Sequence, residues 1–193
     1  MPDIYFCFIK EQYFTERPSM INMLDPHNTS KQAKRTHLCI RIKLNNNNVY
    51  IPLRNNLGNP IRKFGKIGFA VPSQKRPNAG LDYRYSLIIN DDKYIEMQCS
   101  QKLPNAQYKL ICDNYELIAK EITVYINKYI KAAKKNRHRK EPLFKVSSLI
   151  NFHEELGLSA QRNKTSIDDI KTDMPRLLDS EDICFHKTPK FRR

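Results

Sequence analysis

The run Val49-Tyr50-Ile51-Pro52-Leu53 alternates apolar side chains with Tyr and Pro, the period of a strand. It empties into Arg54-Asn55-Asn56-Leu57-Gly58-Asn59-Pro60, whose Asn, Gly and Pro residues supply turn geometry, and Arg62, Lys63 and Lys66 follow. A stiff strand thus delivers guanidinium, amide and ammonium groups to one loop, the usual arrangement of a site carried on a scaffold. Donors of this kind suit phosphate chemistry, because they stabilise charge that develops on phosphoryl oxygens. Metal-free cleavage of RNA further requires a group to take the 2′-OH proton and an acid for the leaving 5′-oxygen. Arg54, Lys63 and Lys66 are candidates to hold the scissile phosphate, and Asn55 is a candidate amide donor. His37 is the candidate for proton transfer, since pairing of residues 36–53 places it beside the end of the strand. The plainer readings stay open: a solvated turn, and a surface His on a strand.

Other cations and aromatics are candidates for RNA binding. Lys31, Lys34 and Arg35 lie just before the first arm of that pairing. Lys75 and Arg76 lie in the Pro- and Gly-bounded loop 72–80, and Lys134, Lys135 and Arg137 lie in the basic stretch 131–140. Cations at a helix C-terminus suit its dipole, but that effect fades within one turn, so a run this long is either a solvated end or a phosphate-facing patch. Tyr108 and Tyr115 either stack on bases or pack in the core.

The elements that must position these groups read as follows. Ile4-Tyr5-Phe6-Cys7-Phe8-Ile9 is one buried strand, followed by the short element Lys10-Glu11-Gln12-Tyr13-Phe14. Residues 16–34 read as a long loop. Leu38, Ile40 and Ile42 alternate with Cys39, Arg41 and Lys43, then Asn45-Asn46-Asn47-Asn48 turns back, so 36–53 is a β-hairpin. Residues 67–71 form another short strand, and 83–89 with 94–97 form a second hairpin. Near residue 113 the period changes. Asp113-Asn114-Tyr115-Glu116 has capping-box form, and Leu117, Ile118, Ile122, Tyr125, Ile126, Tyr129 and Ile130 make an amphipathic helix. Ser147 or Ser148 caps a closing helix that carries Leu149, Phe152, His153 and Leu156 and ends at Gly157. The fold class is therefore α+β: a small twisted antiparallel sheet or SH3-like barrel with C-terminal helices packed on it. Residues 1–158 are the domain. Residues 159–193 are a polar, partly mobile extension, with a short helix at 168–178 and a basic end.

Composition narrows the class of partner. The 193 residues carry 34 Lys and Arg against 20 Asp and Glu, a formal net charge of +14. Such a field favours a polyanion. No apolar run approaches the roughly 20 residues that span a bilayer, and the acidic start Met1-Pro2-Asp3 lacks a signal peptide's basic region. Nucleic acid is the expected partner, with no membrane partner and a cytoplasmic location. The five cysteines have no C-x-x-C spacing and the five histidines no metal-ligand spacing; Cys184 and His186 offer two ligands only. No cofactor and no metal are expected.

Several of these segments, in this order, resemble one known family. Ile4-Tyr5-Phe6-Cys7-Phe8-Ile9-Lys10-Glu11-Gln12-Tyr13-Phe14-Thr15-Glu16 is similar to the opening of the endoribonuclease toxins of type III toxin–antitoxin systems, the ToxN/AbiQ/CptN group. Arg35-Thr36-His37, the hairpin ending in Tyr50-Ile51-Pro52-Leu53, the helix region from Tyr108 to Ala133 and the segment Leu149 to Leu156 follow in the family's order. The resemblance covers residues 4–158. It implies an SH3-like barrel with helices packed on it, and metal-independent RNA cleavage that leaves a 2′,3′-cyclic phosphate. It also implies inhibition by a small structured antitoxin RNA, with a closed protein–RNA ring as a possible assembly, and a place in phage defence. One departure bears on mechanism. The family has a hydroxyl pair and soon a Lys after the Pro-Leu, where this chain has Arg54-Asn55-Asn56 and its first Lys at Lys63. Either Arg54 takes over the phosphate contact, or the chain is a non-catalytic RNA-binding relative.

Overall fold

The computed structural model describes residues 5–41, 46–58, 66–97 and 103–158. Seven strands form one sheet: β1 (Tyr5–Ile9), β2 (His37–Arg41), β3 (Asn48–Arg54), β4 (Gly68–Ala70), β5 (Gly80–Asp82), β6 (Leu87–Ile88) and β7 (Ile95–Met97). Their order across the sheet is β4-β5-β3-β2-β1-β7, with β6 also paired to β3, and every pairing is antiparallel. The chain is α+β, and the sheet is open rather than closed into a barrel.

The hairpin at 36–53 forms in the register that the alternation demands, from His37↔Pro52 to Arg41↔Asn48. Leu38 and Ile40 are sealed in the core while Cys39 between them is half-buried. Each such aliphatic side chain contributes about 1.5–3 kcal/mol by leaving water, so a one-residue slip, which would turn all of them outward, is excluded.

The second hairpin expected at 83–97 does not form. Tyr83–Tyr85 is a 3-10 turn, fixed by the Asp82 carboxylate accepting from the Arg84 N–H at 3.1 Å. Leu87 and Ile88 pair with β3, and β7 pairs with β1. The Asp91 side chain caps a further 3-10 turn, Asp92–Tyr94, by accepting from the Lys93 N–H, and the Lys10 N–H donates to the Tyr94 carbonyl at 2.8 Å. Both segments match strands already in the sheet, and that tertiary pairing outweighs the local signal of two apolar runs around a turn.

Four α-helices complete the described part: α1 (Glu11–Thr15), α2 (Thr29–Ala33), α3 (Asn105–Asp113) and α4 (Tyr115–Lys134). The stretch expected as loop between residues 16 and 34 contains α2, which starts where Asn28 Oδ1 accepts from the Lys31 N–H at 2.8 Å. α4 buries Ile118, Ile122, Tyr125, Ile126 and Tyr129 as its period predicts, whereas Leu117 is 44% exposed. The capping box is not made. α3 runs up to Asn114, whose side-chain amide donates back to the Leu110 carbonyl at 2.8 Å. α4 ends in a Schellman arrangement: Asn136 takes positive φ, its N–H donates to the Ala133 carbonyl, and the Arg137 N–H donates to that of Ala132. The closing element is a single 3-10 turn, Ser148–Asn151, capped by Ser147, and Gly157 has φ 67°. The Ser148 hydroxyl donates to the Ser86 carbonyl at 2.6 Å, which ties this turn to the strand region beside β6.

Gly80 sits where backbones crowd. A Cβ there would lie 2.3 Å from a Leu57 methyl and 2.4 Å from the Phe69 carbonyl oxygen, so no larger residue fits between β3 and β4. Cys7, Cys39 and Cys112 are free thiols, and burial pushes Cys7 far up. No described helix is long and apolar enough to cross a membrane. The expected extension 159–193, with the helix at 168–178, lies outside the described residues.

Candidate nucleic-acid interface

A groove of about 790 Å³ opens where four pieces of chain meet: the end of α2, the end of β3, the turn 73–76 and the start of α3. Lys31, Lys34, Arg35, Arg54, Lys75 and Arg76 line it, with Asn55 and the hydroxyl residues Thr36 and Ser73 between them.

Each cation is delivered by a local cause. Asp25 sits in the left-handed region at φ 52° and pairs with two of them, Lys31 Nζ at 2.6 Å and the Arg35 guanidinium. Burial alone would raise the Asp25 pKa, but hydrogen bonds from Lys31 and Arg35 outweigh it and hold the carboxyl below its ordinary value. Gln32 is buried and donates to the Leu24 and Asp25 carbonyls at 2.9 and 3.1 Å, which locks the preceding loop onto α2. The Arg35 Nε is buried with no hydrogen-bond partner among the described residues. The turn that carries Lys75 and Arg76 is closed by reciprocal Ser73–Arg76 backbone hydrogen bonds at 3.1 and 3.0 Å. Gln107 of α3 donates to the Val71 carbonyl at 2.5 Å and so fixes the far wall against that turn.

Arg54 is held from below. Its Nη1 donates to Asp82 Oδ2 at 2.7 Å, and its guanidinium lies 5.2 Å over the Tyr85 ring. Asp82 has no exposed surface and also accepts from the Arg84 Nε at 2.9 Å and Nη2 at 2.8 Å. Two guanidiniums around one buried carboxylate leave an excess positive charge, and the Arg54 side chain, 27% exposed, is the part that reaches the groove.

Of the residues singled out in the sequence, the groove gathers Arg54, Asn55, Lys31, Lys34, Arg35, Lys75 and Arg76. His37 is placed elsewhere. It follows Thr36 in the chain, and successive side chains of an extended segment face opposite ways, so Thr36 lines the groove and His37 points beneath it. Its Nδ1 lies 2.9 Å from the Arg35 carbonyl, and burial pushes its pKa down to about 3, so it is neutral at pH 7 and hidden from a ligand in the groove. Lys66 pairs with Glu121 of α4 and does not line the groove. Lys134, Lys135 and Arg137 are exposed at the end of α4 and line no part of the groove. Tyr108 is half-buried with its ring 5.8 Å from that of Phe6, a packing role. Lys63 lies outside the described residues.

Sequence reading missed Thr36, Ser73 and Gln107 in the groove and Asp82 below it. Asp82 carried one signal, a lone carboxylate between apolar Leu81 and Tyr83 with Arg84 two residues on. The described residues contain no group of three or more His, Cys, Asp and Glu able to hold a metal ion.

No family model and no curated protein matches the sequence. A solved structure does match in three dimensions. It comes from work on bacterial type III toxin–antitoxin systems, in which a non-coding RNA pseudoknot selectively inhibits the toxin. The match has a TM-score of 0.56 at 16% identity and covers 82% of this chain and 99% of the other. At that identity the likeness speaks for architecture, and the chain has the fold of a type III toxin–antitoxin toxin.

Proposed function

We propose that the chain is an endoribonuclease toxin of a type III toxin–antitoxin or phage-defence system, held inactive by a small structured antitoxin RNA. The observation that carries this reading is the groove itself: cations from three separate segments converge on one concavity that also holds hydroxyls and amides, on a fold shared with such a toxin. Phosphodiesters running through it meet charge-assisted donors.

Cleavage proceeds by attack of the 2′-oxygen on the adjacent phosphorus, with the P–O5′ bond breaking and a 2′,3′-cyclic phosphate forming. Arg54 stabilises the charge on the phosphorane, fixed for that task by Asp82 and Tyr85, with the Asn55 amide and Thr36 hydroxyl as further donors. Lys34, beside Thr36, is assigned as the acid whose ammonium gives a proton to the leaving 5′-oxygen, while solvent water takes the proton of the 2′-OH, since His37 is buried away from the groove. The antitoxin RNA occupies the same groove and thereby blocks it. A non-catalytic RNA-binding role is favoured by one observation, that an arm of the Arg54 fork is already occupied by Asp82.

The test is incubation of a mixed-sequence RNA with the protein in EDTA, with the product ends checked for cyclic phosphate. Cyclic ends from the wild type, lost in Arg54→Ala, are the expected result. Tight RNA binding without cleavage selects the non-catalytic reading, and absence of RNA binding removes both.

A further inference from the structure

The groove does not stop at Thr36. A second cavity, of about 600 Å³, shares Lys34 and Thr36 with it and extends over β1 and β7, where Phe8, Lys10, Glu11 and Glu96 line it. Strand register explains the continuity. Glu96 pairs with Phe8, and the pairing of Cys7 with His37 continues to set Phe8 opposite Thr36. The Leu53 N–H donates to the Thr36 carbonyl at 2.9 Å. Residues opposite one another in a sheet share a face. Glu96, Phe8, Thr36 and Leu53 are therefore one row across four chain segments, and that row floors both cavities. At about 4.8 Å between neighbouring strands, the row runs about 14 Å.

Its two ends differ in chemistry. The Leu53 end is bounded by Arg54, Lys75 and Arg76. At the other end lie two carboxylates. Glu11 accepts from the Thr29 hydroxyl at 2.6 Å, and the Lys10 ammonium donates to the Lys93 carbonyl at 2.6 Å. Glu96 is exposed, and its carboxylate makes no hydrogen bond or ion pair among the described residues. A free carboxylate repels phosphate, so this end does not continue the phosphate track. What a carboxylate accepts from is the N–H edge of a base, and an unpaired base in single-stranded RNA offers that edge beside aromatic surface.

We infer that the cavity over β1 and β7 is a nucleobase pocket, in which Glu96 reads the Watson–Crick edge of an unpaired base beside the Phe8 ring, while Lys34 on the shared wall holds the intervening phosphate. Guanine is the favoured base, because its two adjacent donors match the two oxygens of one carboxylate; adenine and cytosine offer one amino group each, and uracil presents mainly acceptors. This rests on the reading of the groove as an RNA site and adds a sequence preference to it.

The experiment uses the full chain and short 2′-fluoro RNAs, which cannot be cleaved, made of uridine with one central position varied, and measures binding by fluorescence anisotropy. Wild type should favour the guanosine oligomer over the all-uridine one by roughly tenfold or more, the size of one good bidentate pair, with adenosine and cytidine between. Glu96→Ala should bring that ratio toward unity and Glu96→Gln should reduce it, whereas Lys75→Ala/Arg76→Ala should weaken all oligomers alike. Equal affinities in the wild type, or an unchanged preference in Glu96→Ala, overturns the base pocket and leaves the RNA groove standing. Failure of every oligomer, and of a mixed-sequence RNA, to bind the wild type overturns both.

Discussion

Two parts of this molecule are comparably basic in sequence and unlike in space. The groove takes its cations from residues 31–35, 54 and 75–76, and the end of α4 takes its own from residues 131–140. In the groove, Lys31 and Arg35 are aimed by Asp25, and Arg54 is aimed by the buried Asp82. At the end of α4, Lys134, Lys135, Arg139 and Lys140 stand exposed, and among the described residues Arg137 has the i,i+4 ion-pair partner Glu141 at 3.3 Å. Each region also covers a buried His. His37 has a carbonyl against its Nδ1, and His138 packs against Tyr129 and His153 with neither ring nitrogen hydrogen-bonded among the described residues. The difference teaches that charge density marks where a polyanion is attracted. A concave wall and carboxylates that hold guanidiniums in place make one of the regions able to act on it.

The largest expected effect breaks the scaffold under the groove. Asp82→Ala leaves Arg84 and Arg54 without their shared carboxylate, and loss of one partner from a buried ion pair costs about 3–5 kcal/mol. Chemical denaturation of the variant against wild type measures it. A change within about 0.5 kcal/mol, typical of an exposed surface site, would show that Asp82 does not support Arg54. Next, Arg54→Ala should lower the cleavage rate by about 10² to 10³ while RNA affinity falls far less, and Arg137→Ala should leave the rate as it was. Equal losses in both variants would erase the distinction between the two regions.

A third effect separates the buried histidines from the surface. Burial depresses the pKa of His37 to about 3, below an unfolded value near 6.5. Between those values the unfolded chain binds a proton that the folded one refuses. Stability from this group is therefore complete above about pH 6.5 and falls with acid by up to about 1.4 kcal/mol per pH unit until about pH 3. His37→Gln should flatten that slope in denaturation curves taken across the window; an unchanged slope would mean that His37 is not the group responsible. The smallest effect concerns salt. Lys75→Ala/Arg76→Ala should make the salt dependence of RNA affinity shallower, by about 0.7 in the log–log slope for each phosphate that is no longer neutralised. Lys134→Ala/Lys135→Ala should leave the slope unchanged, and a comparable change there would make the end of α4 part of the RNA surface.

The sequence by itself determined the hairpin at 36–53, the amphipathic helix over most of residues 115–134 and the α+β class, because each follows from a periodicity that only one face of one element can satisfy. It also marked several of the groove's polar groups, since Arg54 ends β3, Asn55 follows it, and Lys75 and Arg76 stand in a turn. Local signals failed where partners distant in sequence compete. The runs at 83–89 and 94–97 join β3 and β1 instead of each other, and Asn114 bonds back into α3 instead of capping α4. Only the tertiary structure decided which side of the first arm is the functional one. Thr36 faces the groove and His37 the interior because adjacent residues of an extended chain point opposite ways, and which way is inward depends on what packs beneath. The same holds for Asp82. A buried carboxylate is costly alone and becomes a clamp only when two guanidiniums, one of them from a strand 28 residues earlier, are folded against it.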